Sequence, residues 1–381
     1  MSTLPAEQFE AAPAIPALGG ARARAGVTVG AHSVTDFFSA VTISLIPLLT
    51  ARLDLTTSQV ALLLGVGSVT SGLIQPLTAW ASDKLDTRAL GTIGLAVAVV
   101  CVSLIGRARS FEVLLLLHGT GAAGIGAFHP PAAAAVGHLS GAKRSLGVAV
   151  FFLAGMVGGV SGNVFVPRIV NAMAGEGGPR GIDHGLASLT WLMIPGLVAV
   201  VVLAMAIHPV PHRHHDAHET HGRLTARERR ERWWAVGLLY AGNVMRFSVN
   251  MALVYLFAQW AQAHTLDVRD LDELTRTAGL RASELNGPLQ GMMPVGMGIG
   301  GITLGFLLAP RFEKLVFVVA PLVGAGAIAL IPLAGGLPTG AVVPVVLTLA
   351  VLTGVGFGGV VPVSVSLAQR LLPHRTSLAS G

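Results

Sequence analysis

Four ionisable side chains lie deep within long apolar stretches of the sequence. His32 precedes Asp36 by four residues, so the two side chains share one face of a helix. His129 stands directly before a Pro-Pro pair, and Arg246 lies in a later apolar stretch. Because ionisable groups are costly in hydrocarbon, they usually line a protein interior or a water-filled path. These residues therefore predict proton chemistry or polar-ligand binding inside a membrane.

Asp36 is the only acid deep in any predicted span, and it is the candidate proton carrier. His32 and His129 are candidate accessory groups, because an imidazole titrates near neutral pH. Two structural alternatives stay open: Asp36 as a hydrogen-bonded structural residue, and His129 bonded to a carbonyl that the prolines free. For His118, which lies in the same stretch as His129, we expect a structural role.

Arg246 at such a depth needs a counter-charge, an anionic ligand or water. Asn243 and Asn250 flank it at about one helical turn on each side, which predicts a polar cavity lining. Phe37 and Phe128 are the further predicted cavity residues. If Arg246 faces the candidate proton carrier, protonation of that acid would free the guanidinium for an anionic or polar substrate group.

The composition places these residues in a polytopic membrane protein. Of the 381 residues, 52% are hydrophobic and only 12% are charged, whereas soluble domains carry about 25% charged residues. The basic residues are spread over short connections, so the net charge of +6 does not indicate a nucleic-acid partner. The lone Cys101 excludes an intrachain disulfide. No phosphate-binding glycine loop occurs, so we expect no cofactor and no ATP-driven activity.

The hydropathy pattern predicts ten spanning helices, because each span needs roughly 20 mostly apolar residues. The predicted spans are 27–50, 57–81, 88–106, 112–137, 145–172, 185–207, 234–262, 287–309, 314–335 and 341–370. The fifth span carries four glycines at helical spacing, which predicts close helix packing. These glycines are Gly155, Gly158, Gly159 and Gly162.

The charge distribution orients these spans with the N-terminus in the cytoplasm. That choice puts 16 of the 25 Lys and Arg residues on the cytoplasmic side and 8 on the other, with one inside a span. The predicted organisation is a disordered tail over 1–25, a six-helix bundle over 26–210, a cytoplasmic linker over 211–232 and a four-helix bundle over 233–381. The predicted location is the inner (plasma) membrane.

Two connections are distinctive. The 211–232 segment carries five histidines, and a flexible solvated linker is the favoured interpretation over a metal site. The 265–286 segment has leucines spaced for a short amphipathic helix on the external surface. We therefore expect no resident metal in either place.

Several stretches resemble the fosmidomycin-resistance group of major facilitator transporters. The first span contains HSVTDFF followed by PLL, and the fourth contains GIGAFHPPAAA. The connection after span two, AWASDKLDTRALG, partly matches the loop signature of that superfamily. The resemblance implies that Asp83, Lys84 and Arg88 form a charge network that gates the cytoplasmic side. Asp86 and Ala79 stand where the signature has glycines, which weakens the match.

The resemblance implies an all-α membrane protein with the major facilitator fold, in which two six-helix halves surround a midplane site. Spans one, four, seven and ten would line the cavity, which places Asp36, His129 and Arg246 on lining helices. The sequence stops just after the tenth span, so the C-terminal bundle is expected to be an incomplete, four-helix one. A fragment that lacks two helices is the favoured interpretation, and a natural ten-helix protein is the alternative.

The favoured function is a proton-coupled secondary transporter that exports small amphipathic compounds, monomeric in the lipid bilayer and without enzymatic activity. Uptake of a metabolite by symport is one alternative. The other belongs to a different class: an intramembrane metal-dependent enzyme that uses His32, Asp36 and His129. The sequence shows no nucleophile for such an enzyme and no fixed ligand spacing.

Overall fold

The computed structural model of the protein describes residues 19–85, 88–175, 178–210, 225–265 and 276–371. The regular secondary structure within these ranges is helical. The helices are α1 (Ala21–Leu53), α2 (Thr57–Leu85), α3 (Ala89–Ser103), α4 (Phe111–Leu139), α5 (Arg144–Ala174), α6 (Gly178–Ala187), α7 (Met193–Ile207), α8 (Ala226–Thr265), α9 (Arg276–Gly300), α10 (Ala309–Leu330) and α11 (Thr339–Leu371). The all-helical prediction is therefore confirmed for the described residues.

Each predicted span corresponds to one helix or to one pair of joined helices. A 3-10 segment, Ser188–Leu192, joins α6 to α7 and makes them one passage. A π-helical segment, Gly301–Leu308, extends α9 to the start of α10. Eight of the passages within the described ranges are long and apolar enough to cross a membrane. The passages of α8 and α9 are not among them, because both helices carry more polar residues.

Two predicted boundaries fall inside helices. The helix α1 begins at Ala21, within the predicted 1–25 tail, and residues 1–18 lie outside the described ranges. The helix α8 begins at Ala226, within the predicted 211–232 linker. The histidine-rich part of that linker, 211–224, also lies outside the described ranges.

The predicted surface helix over 265–286 is wrong for its described part. Residues 276–286 are the beginning of the long helix α9, and Gly279, Leu280 and Ala282 are buried. A Cβ atom added to Gly279 would lie 2.8 Å from the Cβ of Ala51 on α1. The missing side chain therefore lets α9 approach α1, and this contact removes the segment from the surface.

The hydrophobic core consists of two main clusters. The larger one centres on α1, with buried residues such as Leu45, Leu95, Phe151 and Leu186 from α1, α3, α5 and α6. The second one joins α8, α9 and α11, with Phe257 among its buried residues. The central position of α1 means that polar groups on most of its faces meet other helices rather than lipid.

Glycines on α5 set how closely it packs against α1. An added Cβ would lie 2.0 Å from the Ser33 carbonyl oxygen at Gly158, and 2.4 Å from the Phe37 carbonyl oxygen at Gly162. At Gly159, by contrast, an added Cβ would meet open space. The Ser33 hydroxyl donates a 2.6 Å hydrogen bond to the Ala154 carbonyl across the same interface. This close packing brings α5 against the polar face of α1.

Candidate functional site

The helices α1 and α4 bring three of the predicted proton-coupling residues together. The His32 Nε2 atom lies 3.4 Å from the Asp36 Oδ2 atom, and the His129 Nε2 atom lies 3.5 Å from the Asp36 Oδ1 atom. The two imidazole rings meet edge to face, with ring centroids 5.0 Å apart. We call this group the triad. One carboxylate thus has an imidazole at each of its two oxygens.

Backbone carbonyls fix the tautomer of both histidines. The His32 Nδ1 atom lies 2.6 Å from the Phe151 carbonyl oxygen, and the His129 Nδ1 atom lies 2.7 Å from the Ile125 carbonyl oxygen. Since a carbonyl oxygen only accepts hydrogen bonds, each Nδ1 carries the proton. In the neutral imidazole, Nε2 then has a lone pair that faces a carboxylate oxygen.

This arrangement makes the triad a group of variable charge. A lone pair opposite an ionised carboxylate oxygen is repulsive, so each of the two contacts between nitrogen and oxygen favours a shared proton. With no shared proton, one or two, the charge of the triad runs from minus one through zero to plus one. Chemically, the triad can therefore bind and release protons without changing the backbone contacts of its histidines.

The triad has one buried and one accessible side. The side chain of His32 is 3% exposed, whereas those of Asp36 and His129 are each 23% exposed. His32 is stacked on Phe151, with ring centroids 3.9 Å apart and an interplanar angle of 16°. A ligand or water can thus reach the carboxylate and His129, while His32 contacts the carboxylate from the buried side.

The two phenylalanines predicted to line the cavity differ in their exposure. Phe128 is fully buried, 5.9 Å from His32 and 6.3 Å from Phe151 between ring centroids. Its cavity role stays a prediction. Its ring packs behind the triad, in the core between α1, α4 and α5. Phe37 is partly buried against the same core and meets Phe38 edge to face.

Gly155 on α5 leaves the space that the triad fills. A Cβ atom added there would lie 2.5 Å from both Asp36 Oδ2 and His32 Cε1, and 2.7 Å from His32 Nε2. These distances are far below van der Waals contact. The spacing of Gly155 predicted only close helix packing, and its contact with the candidate proton-coupling residues could not be read from the sequence.

The three ligand atoms of the triad also lie within 4.8 Å of one another. They are close enough to bind a small cation. The fold thus brings together three possible ligands that have no fixed ligand spacing along the sequence. The geometry of these atoms alone therefore does not separate proton binding from the metal-dependent alternative.

The structure does not pair Arg246 with Asp36. Among the described residues, the ion-pair partners of Asp36 are His32 and His129. The Arg246 Nη1 atom donates a 2.8 Å hydrogen bond to the Phe357 carbonyl of α11, and the guanidinium lies over the Phe247 ring. His32 and His129, rather than Arg246, therefore contact the Asp36 carboxylate.

Arg246 keeps unused donor capacity in this position. Its buried Nε atom has no hydrogen-bond partner within the described part of the chain. Asn243 and Asn250 lie about one turn away on the same helix, each partly exposed. These groups can together donate hydrogen bonds to an anionic or polar ligand.

Comparison with known proteins decides the family. A model of the Major Facilitator Superfamily matches residues 28–381 of the chain. The chain belongs to this superfamily. The sequence is 24% identical over 173 residues to the fosmidomycin resistance protein of Escherichia coli (strain K12). That match covers 45% of this chain and 40% of the relative, so the chain spans less than half of the relative's length.

Solved superfamily structures share the fold. A bacterial homologue of the human lysosomal transporter Spinster, in an inward-facing and unoccupied conformation, superposes with a TM-score of 0.67 at 14% identity. This superposition covers 94% of this chain and 79% of the homologue. The nucleoside transporter NupG superposes with a TM-score of 0.65 at 11% identity, covering 94% and 85% of the two chains. The predicted major facilitator fold is thus confirmed.

The loop that carries the superfamily's partial signature is only partly described. Arg88 is buried and donates 3.2 Å hydrogen bonds to the carbonyls of Pro131 and Val210, which ties α3 to α4 and to the end of α7. Lys84 is exposed and lies over the Trp80 ring. The side chain of Asp83 lies outside the described residues, so the gating network stays a prediction.

His118 occupies a tight position between α1 and α2. Its Nδ1 atom is 3.1 Å from the Thr42 hydroxyl, and a Cβ atom added to Gly67 would lie 2.2 Å from its Nε2 atom. These contacts agree with the structural role that we expect for it.

Sequence analysis missed a polar face of α9. Ser283 and Asn286 are 0% exposed and Gln290 is 4% exposed, and all three lie on the face that packs against other helices. Ser283 and Asn286 were missed because their segment was assigned to the surface, whereas Gln290 lies in the predicted span 287–309. Their spacing of three and four residues marks one helical face, and this signal could have revealed them.

Proposed function

We propose that the protein is a proton-coupled secondary transporter that exports small amphipathic compounds by alternating access. The observation that carries the proposal is the triad, in which one carboxylate meets two histidines whose Nδ1 atoms are anchored on carbonyls. A charge that changes with proton occupancy inside spanning helices is the requirement for coupling transport to a proton gradient.

In this proposal, protons and substrate compete for one cavity. A triad with two shared protons is positive and repels a cationic group, one with a single proton is neutral, and a triad without a shared proton is negative and attracts such a group. Arg246 and the neighbouring Asn243 and Asn250 provide donors for the polar end of the substrate. Competition of this kind produces exchange of substrate for protons, which is the logic of an antiporter. The name of the fosmidomycin resistance protein favours export over uptake.

A transport assay with purified protein in lipid vesicles tests the proposal. With equal substrate inside and outside, an acidic lumen should drive substrate into the lumen as protons leave. Symport would instead expel substrate from the acidic lumen, and indifference to the gradient would contradict proton coupling altogether. The substrate class would come from a panel of small amphipathic compounds in the same assay.

Metal analysis of the same preparation tests the alternative from another class. We expect substoichiometric transition metal and unchanged transport after treatment with a chelator. One tightly held metal ion per chain, together with loss of activity on chelation, would favour the metal-dependent alternative.

We propose further that the N-terminus is cytoplasmic in the plasma membrane, because of the bias in Lys and Arg. In a Cys101→Ala background, Arg109→Cys should react with a membrane-impermeant maleimide added to intact cells. Lys143→Cys should react only after permeabilisation. Both positions are exposed in the structure and lie in the connections on either side of α4. The reverse labelling pattern would invert the topology.

A further inference from the structure

Pro47 leaves a carbonyl of α1 without its helical donor. In an α-helix the N–H of each residue bonds to the carbonyl four residues earlier, and proline has no N–H. The Ile43 carbonyl is therefore free of its usual partner. The Asn286 Nδ2 atom of α9 lies 2.9 Å from this oxygen and 3.2 Å from the Ser44 carbonyl oxygen. An amide from the C-terminal half of the chain thus replaces the missing donor.

A second hydrogen bond lies one turn away on the same two helices. The backbone N–H of Leu48 donates to the Ser283 hydroxyl oxygen at 3.1 Å. Ser283 and Asn286 are both fully buried, so these bonds form in a site that excludes water. Both side chains bind the backbone of α1, and we call them the clasp.

The amide of Asn286 is held in the orientation that the clasp needs. Gln290 donates its amide hydrogens to the Val254 carbonyl at 2.8 Å and to the Asn286 Oδ1 atom at 3.0 Å. Because Oδ1 accepts from Gln290, Nδ2 is the atom that faces the carbonyls of α1.

The neighbouring helix α5 repeats the pattern. Pro167 frees the carbonyl of Asn163 in the same way, and Gly287 of α9 lies directly against it. A Cβ atom added to Gly287 would be 2.3 Å from that carbonyl oxygen. The helix α9 thus packs against two carbonyls that lack their usual helical donor because of a proline, that of Ile43 on α1 and that of Asn163 on α5.

Ion pairs also connect α1 and α9 at the protein surface, at the C-terminal end of α1. Asp183 of α6 pairs with Arg52 of α1 at 2.9 Å and with Arg276 of α9 at 3.3 Å. The side chain of Asp183 is 46% exposed, and exposed ion pairs contribute little to stability. The buried clasp is therefore the stronger connection between α1 and α9.

We infer that Asn286 and Ser283 are gating residues, whose bonds to the backbone of α1 hold the external end of the two halves closed. The inference rests on the alternating access and the orientation proposed above. When this end opens, α9 leaves α1, and the Ile43 carbonyl must find water instead. The bonds of the clasp therefore stabilise the closed state alone. Without the amide, the carbonyl would be buried and unsatisfied in the closed state but hydrated in the open one.

Cysteine reactivity measures this equilibrium directly. In a Cys101→Ala, Ala51→Cys protein, the reporter thiol lies between α1 and α9, where Ala51 is only 9% exposed. We expect Asn286→Ala to raise the rate of labelling by an impermeant maleimide roughly tenfold, because a buried carbonyl loses its partner. Ser283→Ala should raise the labelling rate less, since the Leu48 N–H that loses its partner has a helical acceptor four residues earlier, the Ser44 carbonyl.

The control is Thr348→Val, which removes an exposed hydroxyl that bonds to its own helix, at the Pro344 carbonyl. It should leave the labelling rate unchanged. If Asn286→Ala does not insert, Asn286→Leu keeps a side chain of similar size and removes the donor, with the same expected increase. Unchanged labelling in the Asn286 and Ser283 variants would overturn the inference. The assay uses no proton gradient, so a failure of proton coupling would leave its result standing.

Discussion

Asp36→Asn is expected to reduce pH-driven transport to the background level, while weaker substrate binding through the donors of Arg246, Asn243 and Asn250 remains. Asparagine has the shape of aspartate and its amide can donate to one imidazole Nε2 atom, so the packing of α1 against α4 should persist. The asparagine amide does not titrate near neutral pH, so the triad can no longer carry a negative charge. Substrate binding should then lose most of its dependence on pH.

The measurement is substrate binding against pH, together with transport in vesicles under an imposed gradient. Asp54→Asn is the matched control, because it makes the same chemical change at an exposed position on the C-cap of α1. Asp54 has a left-handed backbone conformation, with φ at 48°, which asparagine also tolerates. If the pH-dependent binding curve persists unchanged in Asp36→Asn, the proton site moves to His129 or His32.

Gly155→Ala is expected to cut pH-driven transport at least as severely, although it adds only a methyl group. The new Cβ would lie 2.5 Å from an oxygen of Asp36 and from a ring carbon of His32. The atoms that must move are the ends of the two side chains in the triad rather than the backbone. We therefore expect the protein to insert and fold, but with its carboxylate displaced from one or both imidazoles.

Gly159→Ala makes the same addition one turn further along α5, where an added Cβ meets open space. It should transport normally, and its helix propensity should be slightly better than that of glycine. Transport under the gradient and thermal stability in detergent would be compared for the two variants. Equal transport by both would show that the space beside the triad has no role in coupling.

The membrane passages could be predicted from sequence because apolar runs of this length are rare outside spanning helices. The pairing of His32 with Asp36 followed from their spacing on one helix, and the resemblance placed His129 with them on a helix that lines the cavity. Atoms of Asp36 and His129 lie 3.5 Å apart although the two residues are 93 positions apart in the sequence, so local spacing could not have paired them.

Other features depend on how helices are rotated and tilted, which hydropathy does not give. Phe128 and Phe37 are equivalent in the sequence, each beside a deep ionisable residue, yet Phe128 lies wholly in the core. The donors on α9 were missed for a related reason. The segment around Ser283 looks polar enough for a surface, and only the packing of Gly279 and Gly287 against α1 and α5 shows that it is buried.

The helix α1 carries Asp36 and the Ile43 carbonyl on one continuous backbone, roughly 10 Å apart at 1.5 Å per residue. If the triad and the clasp both act as proposed, this helix joins two binding equilibria, and thermodynamic reciprocity governs them. The factor by which protonation changes the equilibrium constant for opening must equal the factor by which opening changes the proton affinity of the triad. Asn286→Ala, a change on a different helix from the carboxylate, would therefore displace the pH midpoint of proton binding without changing any titrating atom.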